Sequence, residues 1–277
     1  MHANHAQTAM RVIDFFVHPI RTPDESALFH IASERPEGLL DPISSELNEK
    51  AISGALIPSF DSKILDSMAW LTAVKLHSDT KRFAFALVPD MGDLRSGQFR
   101  DRIALAAASG FRAVVLHPYL QNILPEDLSL MQELARQAES SGMFVIICSA
   151  YGSTKMFKHY SLPLAAGLAE EINCPIVLAH CGGAKIVEAY LVAEAYANIY
   201  LETSFTLPYW LGSSIEIDIA FAIRKLGPER WLFGSDAPFC TLNDALAAHH
   251  KFFDTHGFID SQVEQIMSGT ARTILGW

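Results

Sequence analysis

Five side chains that can move protons, attack a carbonyl or bind a metal ion stand at the ends of short apolar runs. They are His18, His117, Cys148, His180 and Asp236. Asp236 follows the run WLFGS and precedes an Ala-Pro pair, a pattern that indicates a buried strand delivering one carboxylate to the edge of a sheet. An Asp before Ala-Pro is also typical of a helix start, so Asp236 alone could simply cap the next helix.

Packing explains each of these residues when it is considered alone. A histidine at a strand end is often a satisfied buried polar group, although a barrel interior normally takes branched apolar side chains. His18, His180 and Asp236 occupy equivalent places in different repeats of the pattern described next. Together they indicate function rather than packing, because imidazole and carboxylate groups bind divalent ions and transfer protons.

Eight apolar runs alternate with segments of helical period, which is typical of repeated βα units and a parallel sheet. The runs span residues 12–18, 54–60, 82–89, 113–117, 143–149, 175–180, 198–204 and 230–236. Their ends are about 30 residues apart, the length that a strand, a helix and two short loops occupy. The sequence therefore predicts an α/β fold, a single (β/α)8 TIM barrel over residues 11–277 with its site at the carboxyl ends of the strands.

The segments between the runs have helix boundaries of their own. Residues 125–141 are predicted to form a helix whose buried face carries Leu128, Met131, Leu134, Ala135 and Ala138. Gly142 then stands where a left-handed cap belongs, and Gly110 and Gly227 hold the same place in other repeats. Residues 1–10 are predicted to be a disordered lead-in, and residues 20–47 a long loop at the active face.

Composition excludes several classes of partner. Half of the 277 residues are hydrophobic, and the net charge is -10 with no basic cluster, so we expect no nucleic acid partner. The apolar runs are too short to span a membrane, and the first residues do not resemble an export signal. The four cysteines form no CxxC pair, which favours reduced thiols. We therefore expect a cytoplasmic protein that binds a small-molecule substrate, with a homo-oligomer compatible with the sequence.

Four motifs follow one another along the chain, GFRAVVLHP at 110–118, LAHCGG at 178–183, FGSDAPF at 233–239 and GTARTIL at 269–275. Together they resemble the amidohydrolase superfamily, specifically its amidohydrolase-related branch. The resemblance extends from Asp14 to Leu275. It implies a (β/α)8 barrel whose catalytic metal is held by an HxH on strand one, a His on strand five, often a His on strand six and an Asp on strand eight. Relatives in this branch hydrolyse amides, esters or lactones, and some are decarboxylases or hydratases.

The chain departs from this pattern at two of the implied metal ligands. Asp236 matches the Asp of strand eight, and His180 matches the His of strand six. On strand one, Phe16 stands where the first His belongs, and only His18 remains. On strand five, Cys148 stands in place of the His. A phenyl ring cannot bind a metal ion, so the resemblance implies a degenerate metal site.

Three arrangements follow from this degenerate set. In the first, His18, His180 and Asp236, with Cys148 as a thiolate, hold Zn²⁺ at low affinity, and Asp236 or His117 takes a proton from a metal-bound water. In the second, no cofactor binds, Asp236 is the general base for water and the histidines polarise an activated carbonyl. In the third, the barrel binds a small molecule without turnover. In the first two, Asp236 and His180 are the expected catalytic residues.

Cys148 also suggests a nucleophilic thiol paired with His180 on the neighbouring strand. Free cysteines are commonly buried and pack as small hydrophobic residues, so we favour packing or substrate contact. Candidate substrate contacts are His117, Cys148, Tyr119 and Tyr151, with Lys155 and His159 just beyond strand five.

The sequence as a whole predicts a hydrolase of a small amide, ester or lactone. A decarboxylase on the same scaffold, or a catalytically silent barrel, is the alternative.

Overall fold

The structure is a computed structural model, and it describes most of the chain. The described residues are 11–18, 35–50, 52–59, 72–73, 76–77, 80–151, 154, 156–159 and 161–277. The predicted lead-in over residues 1–10, residues 20–34 of the predicted loop, and Lys155 lie outside these ranges. No helix in the described part of the chain has both the length and the apolar character needed to cross a membrane.

Eight parallel strands form one sheet in chain order, and each strand pairs with the next. They are β1 (Ile13–Asp14), β2 (Gly54–Ser59), β3 (Phe83–Leu87), β4 (Ala113–Leu116), β5 (Phe144–Cys148), β6 (Ile176–Ala179), β7 (Ile199–Glu202) and β8 (Trp231–Leu232). Each strand lies within one of the eight predicted runs. The predicted (β/α)8 TIM barrel is confirmed.

Backbone hydrogen bonds beyond β8 bring the last repeat back against the first. Asp236 N donates to Phe16 O at 2.9 Å, and His18 N donates to Ala237 O at 2.8 Å. These bonds lie at the carboxyl ends of the strands. The mouth of the barrel is therefore where the first and last repeats meet.

Helices surround the sheet and connect its strands. The α-helices of the described residues are α1 (Asp41–Glu49), α2 (Met91–Ser96), α3 (Phe99–Ala108), α4 (Leu128–Ser140), α5 (Ser161–Ala169), α6 (Ile186–Ala195), α7 (Thr206–Trp210), α8 (Ser214–Leu226), α9 (Leu242–His256), α10 (Asp260–Glu264) and α11 (Thr270–Leu275). A π-helical turn, Gln265–Gly269, joins α10 to α11. Short 3-10 segments occur at Pro36–Leu39, Thr80–Arg82, Pro125–Asp127, Met156–Lys158, His180–Lys185 and Pro228–Arg230.

The helix predicted over residues 125–141 is present as the 3-10 turn Pro125–Asp127 followed by α4. Four of the five predicted core residues are buried on α4, and Leu128 is partly buried against the same core. Gly142 has φ +73°, the left-handed conformation that ends the helix without a Cβ clash. The loop predicted over residues 20–47 is wrong in its described part, because α1 begins at Asp41 with Pro42 in its first turn, and Ile43 and Leu47 bury one face of it.

The strands divide their side chains between two cores, as a period of two requires. The barrel interior includes Leu56, Ala84, Ala86, Ala113, Val115, Phe144, Ile146, Val177, Ala179 and Leu232. The alternate residues, such as Val114 and Ile147, face the helices. His117 and Cys148 come two residues after Val115 and Ile146, so both continue the interior series at the mouth of the barrel.

A buried histidine joins α9 to the end of β7. His249 is fully buried, with Nε2 2.7 Å from Thr203 Oγ1 and Nδ1 2.7 Å from the carbonyl oxygen of Ala245. Burial disfavours the imidazolium form and lowers the pKa of His249 to about 4. Between this pKa and the ordinary value of 6.5, the ring is therefore neutral in the folded protein and protonated in an unfolded chain.

We expect the free energy of unfolding to fall as the pH drops from 6.5 towards 4, because in that window the unfolded chain binds a proton at His249 and the folded chain does not. The His249→Gln variant keeps hydrogen-bonding groups but does not titrate. It should remove this part of the slope, which is at most about 1.4 kcal/mol per pH unit. Urea unfolding of both proteins at several pH values measures the difference. Equal slopes of the unfolding free energy against pH in the two proteins would show that His249 is protonated in the folded state without a loss of stability.

Candidate active site

The five residues singled out in the sequence meet at the mouth of the barrel. His18 Nε2 lies 2.9 Å from Asp236 Oδ1, and their side chains are 17% and 8% exposed. The Cys148 thiol lies close enough to the His117 and His180 rings for their charges to act on it. The structure thus brings together all five, whereas their chemical roles stay predictions.

Asp236 is held by the first strand rather than by a helix. Asp14 Oδ1 accepts from Ser235 N at 2.8 Å, and Asp14 Oδ2 accepts from Ser235 Oγ at 2.6 Å. Asp236 itself has φ +59°, a conformation that costs a residue with a side chain about 1–3 kcal/mol and that is common at functional sites. The cap of α9 is Thr241, whose hydroxyl accepts from Asp244 N. The alternative in which Asp236 caps this helix is therefore wrong.

His180 also has a left-handed backbone conformation, with φ +66°. Its Nδ1 lies 3.1 Å from the carbonyl oxygen of Ser204 and 3.0 Å from Ser204 Oγ. Because a carbonyl oxygen only accepts, Nδ1 carries the proton and donates. Ser204 therefore fixes both the tautomer and the direction of the ring.

Glu202, at the end of β7, completes this arrangement and was missed by the sequence reasoning. It is fully buried and accepts from His180 N at 3.2 Å, from Ser204 N at 2.5 Å and from Ser204 Oγ at 2.7 Å. Burial raises the pKa of Glu202 to about 7, although the charge of His180 and the hydrogen bonds oppose the shift. A carboxylate inside the apolar run NIYLE was the signal that could have found it.

The charges of Cys148 and His180 stabilise one another. Burial alone would raise the pKa of Cys148, but the charges and hydrogen bonds of His117 and His180 outweigh it and lower that pKa. Burial alone would lower the pKa of His180, but the negative charges of Asp236 and Cys148 outweigh it and raise that pKa. The site therefore favours a thiolate beside an imidazolium.

Tyr119 lies at this site, and Tyr151 lies beside it. The Tyr119 ring is 4.3 Å from the His117 ring between centroids, and burial, with the charges of Cys148 and Asp236, raises the pKa of its hydroxyl. Tyr151 lines an adjoining pocket of about 180 Å³, where the Lys185 ammonium lies 4.6 Å from the centre of its ring. His159 lines the same pocket.

The side chains at the mouth do not fit the metal site that the resemblance implies. The Phe16 ring packs edge-on against His18 and His180, at 5.6 Å from each ring centre. His18 Nε2 contacts Asp236, and His180 Nδ1 contacts Ser204. Within the described ranges, no three His, Cys, Asp or Glu side chains are grouped so as to hold a metal ion. An apolar ring lies between His18 and His180, and His18 Nε2 and His180 Nδ1 are engaged by protein groups.

Comparison with known proteins agrees with the fold. Residues 35–277 match the protein-family model described as amidohydrolase, while no curated protein matches the chain. A probable 2-pyrone-4,6-dicarboxylic acid hydrolase of Acinetobacter baumannii with citric acid bound is similar in structure, with a TM-score of 0.68, 18% identity and coverage of 97% of this chain and 100% of that chain.

Two further solved structures are similar over most of their length. An amidohydrolase of Burkholderia multivorans with bound zinc has a TM-score of 0.65 and 17% identity, with 96% of this chain and 99% of that chain covered. The 5-carboxyvanillate decarboxylase of Sphingomonas paucimobilis has a TM-score of 0.62 and 14% identity, with 97% and 99% covered. At these identities the likeness shows the fold alone.

The role of Glu202 can be tested through the pKa of His180. We expect Glu202→Gln to lower that pKa, because it removes a buried negative charge, and to cost about 1–3 kcal/mol of stability by disturbing three hydrogen bonds. NMR titration of the His180 ring and urea unfolding measure the two effects. Glu229→Gln, at an exposed position before β8, is the control. An unchanged His180 pKa in Glu202→Gln would contradict this role.

Proposed function

Since the chain belongs to the amidohydrolase family, we propose that it hydrolyses a small activated carbonyl compound, a lactone, ester or amide, with protein side chains in place of the family's metal. The observation that carries the proposal is the His18–Asp236 pair, 2.9 Å apart, at the mouth of the barrel, where the Phe16 ring contacts both His18 and His180. Asp236 and His180 are the proposed catalytic residues.

Asp236 is suited to accept a proton from the attacking water. A carboxylate has two oxygens, so Oδ1 can bind His18 while the other oxygen accepts the proton. The bond to His18 also fixes the direction of the carboxylate. Since both side chains are mostly buried, proton transfer takes place with little competition from bulk water.

Two other groups can stabilise the negative charge that develops on the carbonyl oxygen. His180 has a raised pKa and so stays protonated at neutral pH, and its imidazolium is a charged donor. Tyr119 has a raised pKa as well, so its hydroxyl keeps its proton and can donate. Donors of this kind favour the transition state over the ground state, because the charge on the oxygen grows as the bond forms.

The rim of the mouth favours a substrate with a flat apolar part. Phe239 is 71% exposed, and its ring lies edge-on to His18, with the centroids 5.2 Å apart. Phe205 lies 6.5 Å from the His180 ring. The probable 2-pyrone-4,6-dicarboxylic acid hydrolase, similar in fold, is named for a cyclic ester, which supports a lactone as the first candidate.

A decarboxylase is the competing reaction on the same scaffold. The likeness in fold to 5-carboxyvanillate decarboxylase supports it, and so does the raised pKa of His180, since an imidazolium would also bind the carboxylate of an aromatic acid.

For either reaction we place the protein in the cytoplasm, a compartment that accords with its four free cysteines.

The Asp236→Asn variant tests the proposed function. We expect wild-type protein to hydrolyse at least one member of a panel of lactones, esters and amides, and Asp236→Asn to lower kcat by about 10²- to 10⁴-fold, because an amide cannot accept the proton. Asp254→Asn, on the exposed face of α9, is the matched control.

Aromatic acids belong in the same panel. Release of carbon dioxide from one of them, with no hydrolysis of the others, would replace the hydrolase by the decarboxylase. Equal background rates for wild type and Asp236→Asn throughout would show a silent binding barrel.

The effect of Phe16 on metal binding can be tested by restoring the missing donors. Phe16→His combined with Cys148→His should tighten zinc binding by more than about 10- to 100-fold, because first-shell ligands matter more than the supporting groups for which that range is typical. Isothermal titration calorimetry measures the affinity. Phe16→Leu with Cys148→Ala opens similar space without adding donors and is the control. Unchanged affinity in the double-histidine variant would show that these positions do not face a common metal site.

A further inference from the structure

We propose that Cys148 is the nucleophile of this site and forms a covalent thioester with the acyl part of the substrate. The inference rests on the proposed hydrolase function and deepens it, because it assigns the first chemical step to a side chain rather than to water. It reverses the packing interpretation that the sequence favours.

The position of Cys148 is that of a reacting group. It ends β5 on the inner face of the barrel, one place above Ile146 in the interior series, and it is 3% exposed. β4 and β6 are its direct neighbours in the sheet. His117 directly follows Leu116, the register partner of Ile147, and His180 directly follows Ala179, the register partner of Cys148. The thiol is therefore placed between two imidazoles at the floor of the mouth.

His180 has the partners that a catalytic acid–base group requires. Ser204 accepts from Nδ1, and Glu202 in turn accepts from Ser204 Oγ at 2.7 Å. The series of groups thus runs from the thiol of Cys148 to the imidazole of His180, and then through the hydroxyl of Ser204 to the carboxylate of Glu202. This is the order of groups that activates serine and cysteine nucleophiles on unrelated folds, with one extra hydroxyl between the base and the acid.

Cys181 provides a comparison within the same chain. It is fully buried, as Cys148 nearly is, but burial and the nearby Glu202 raise its pKa well above the ordinary value. A buried thiol that only packs is expected to behave in this way. Cys148 differs in its surroundings, because the residues that follow β4 and β6 place two imidazoles beside it.

The reaction then proceeds in two balanced steps. In the first, the Cys148 thiolate attacks the carbonyl carbon, a C–S bond forms, the C–O or C–N bond breaks, and the leaving group takes a proton from the His180 imidazolium. In the second, water attacks the thioester carbon and gives a proton to Asp236. The C–S bond breaks and restores the thiolate, and Asp236 passes its proton to His180. The sum is substrate plus water giving a carboxylic acid and an alcohol or amine.

The test uses the full-length protein with p-nitrophenyl acetate as the probe. The reaction is quenched in acid, and peptide mass mapping locates any acetyl group. We expect one acetyl group on Cys148 in the wild type, and a loss of kcat of about a thousandfold or more in both Cys148→Ser and Cys148→Ala. Cys174→Ala, before the amino end of β6, is the matched control and should keep the wild-type rate and the adduct. Thermal unfolding of each variant separates loss of chemistry from loss of fold.

The outcomes distinguish this proposal from the function on which it rests. Hydrolysis by Cys148→Ala within about threefold of wild type, with no adduct, would overturn the covalent step and leave the hydrolase in place. If both variants fail to fold, the mapping of the wild-type adduct decides. The absence of an acetyl group on Cys148 during turnover would also overturn the covalent step. Wild-type rates no higher than those of Asp236→Asn would overturn the hydrolase proposal, and the covalent step with it.

Discussion

The contact between Asp14 and Ser235 joins the first repeat of the barrel to the last, and the candidate site depends on it. Both residues are almost fully buried, and both carboxylate oxygens accept from Ser235. The next residue, Asp236, has a left-handed backbone that an ordinary residue adopts only where the surroundings hold it. A carboxylate that binds two donors at once supplies that support. Together with the backbone hydrogen bonds between the two repeats, it holds Asp236 beside His18.

Phe16 lies at the same junction and determines which chemistry the mouth can support. Its carbonyl oxygen accepts from Asp236 N, so its place in the chain is fixed, and its ring fills the space between His18 and His180. A phenyl ring contributes packing but no ligand for a metal ion. The buried negative charges must therefore be balanced by protein groups, because unpaired charges in a low-dielectric interior are costly. The charges of Asp236, Cys148 and Glu202 raise the pKa of His180, so its imidazolium offsets part of this negative charge.

The fold could be predicted from the sequence because each repeat carries its own signals. Alternating apolar runs specify strands, and Gly142 marks where α4 must end. The residues at the strand ends could likewise be placed together, since the carboxyl ends of parallel strands share one face. Glu202 could not be identified in the same way, because its function depends on contacts with Ser204 and His180 that only the folded backbone creates. The lowered pKa of the Cys148 thiol could not be predicted either, because it results from His117 and His180, which are distant from it in sequence.

We propose that side chains, and not a metal ion, carry out hydrolysis at this mouth. The most direct measurement is made on one preparation purified without chelator, in which zinc content and turnover are determined before and after exhaustive dialysis against a chelator. We expect well under one equivalent of tightly bound metal and an unchanged kcat after dialysis. Near-stoichiometric zinc, with activity lost on chelation and regained when zinc or manganese is added, would contradict it.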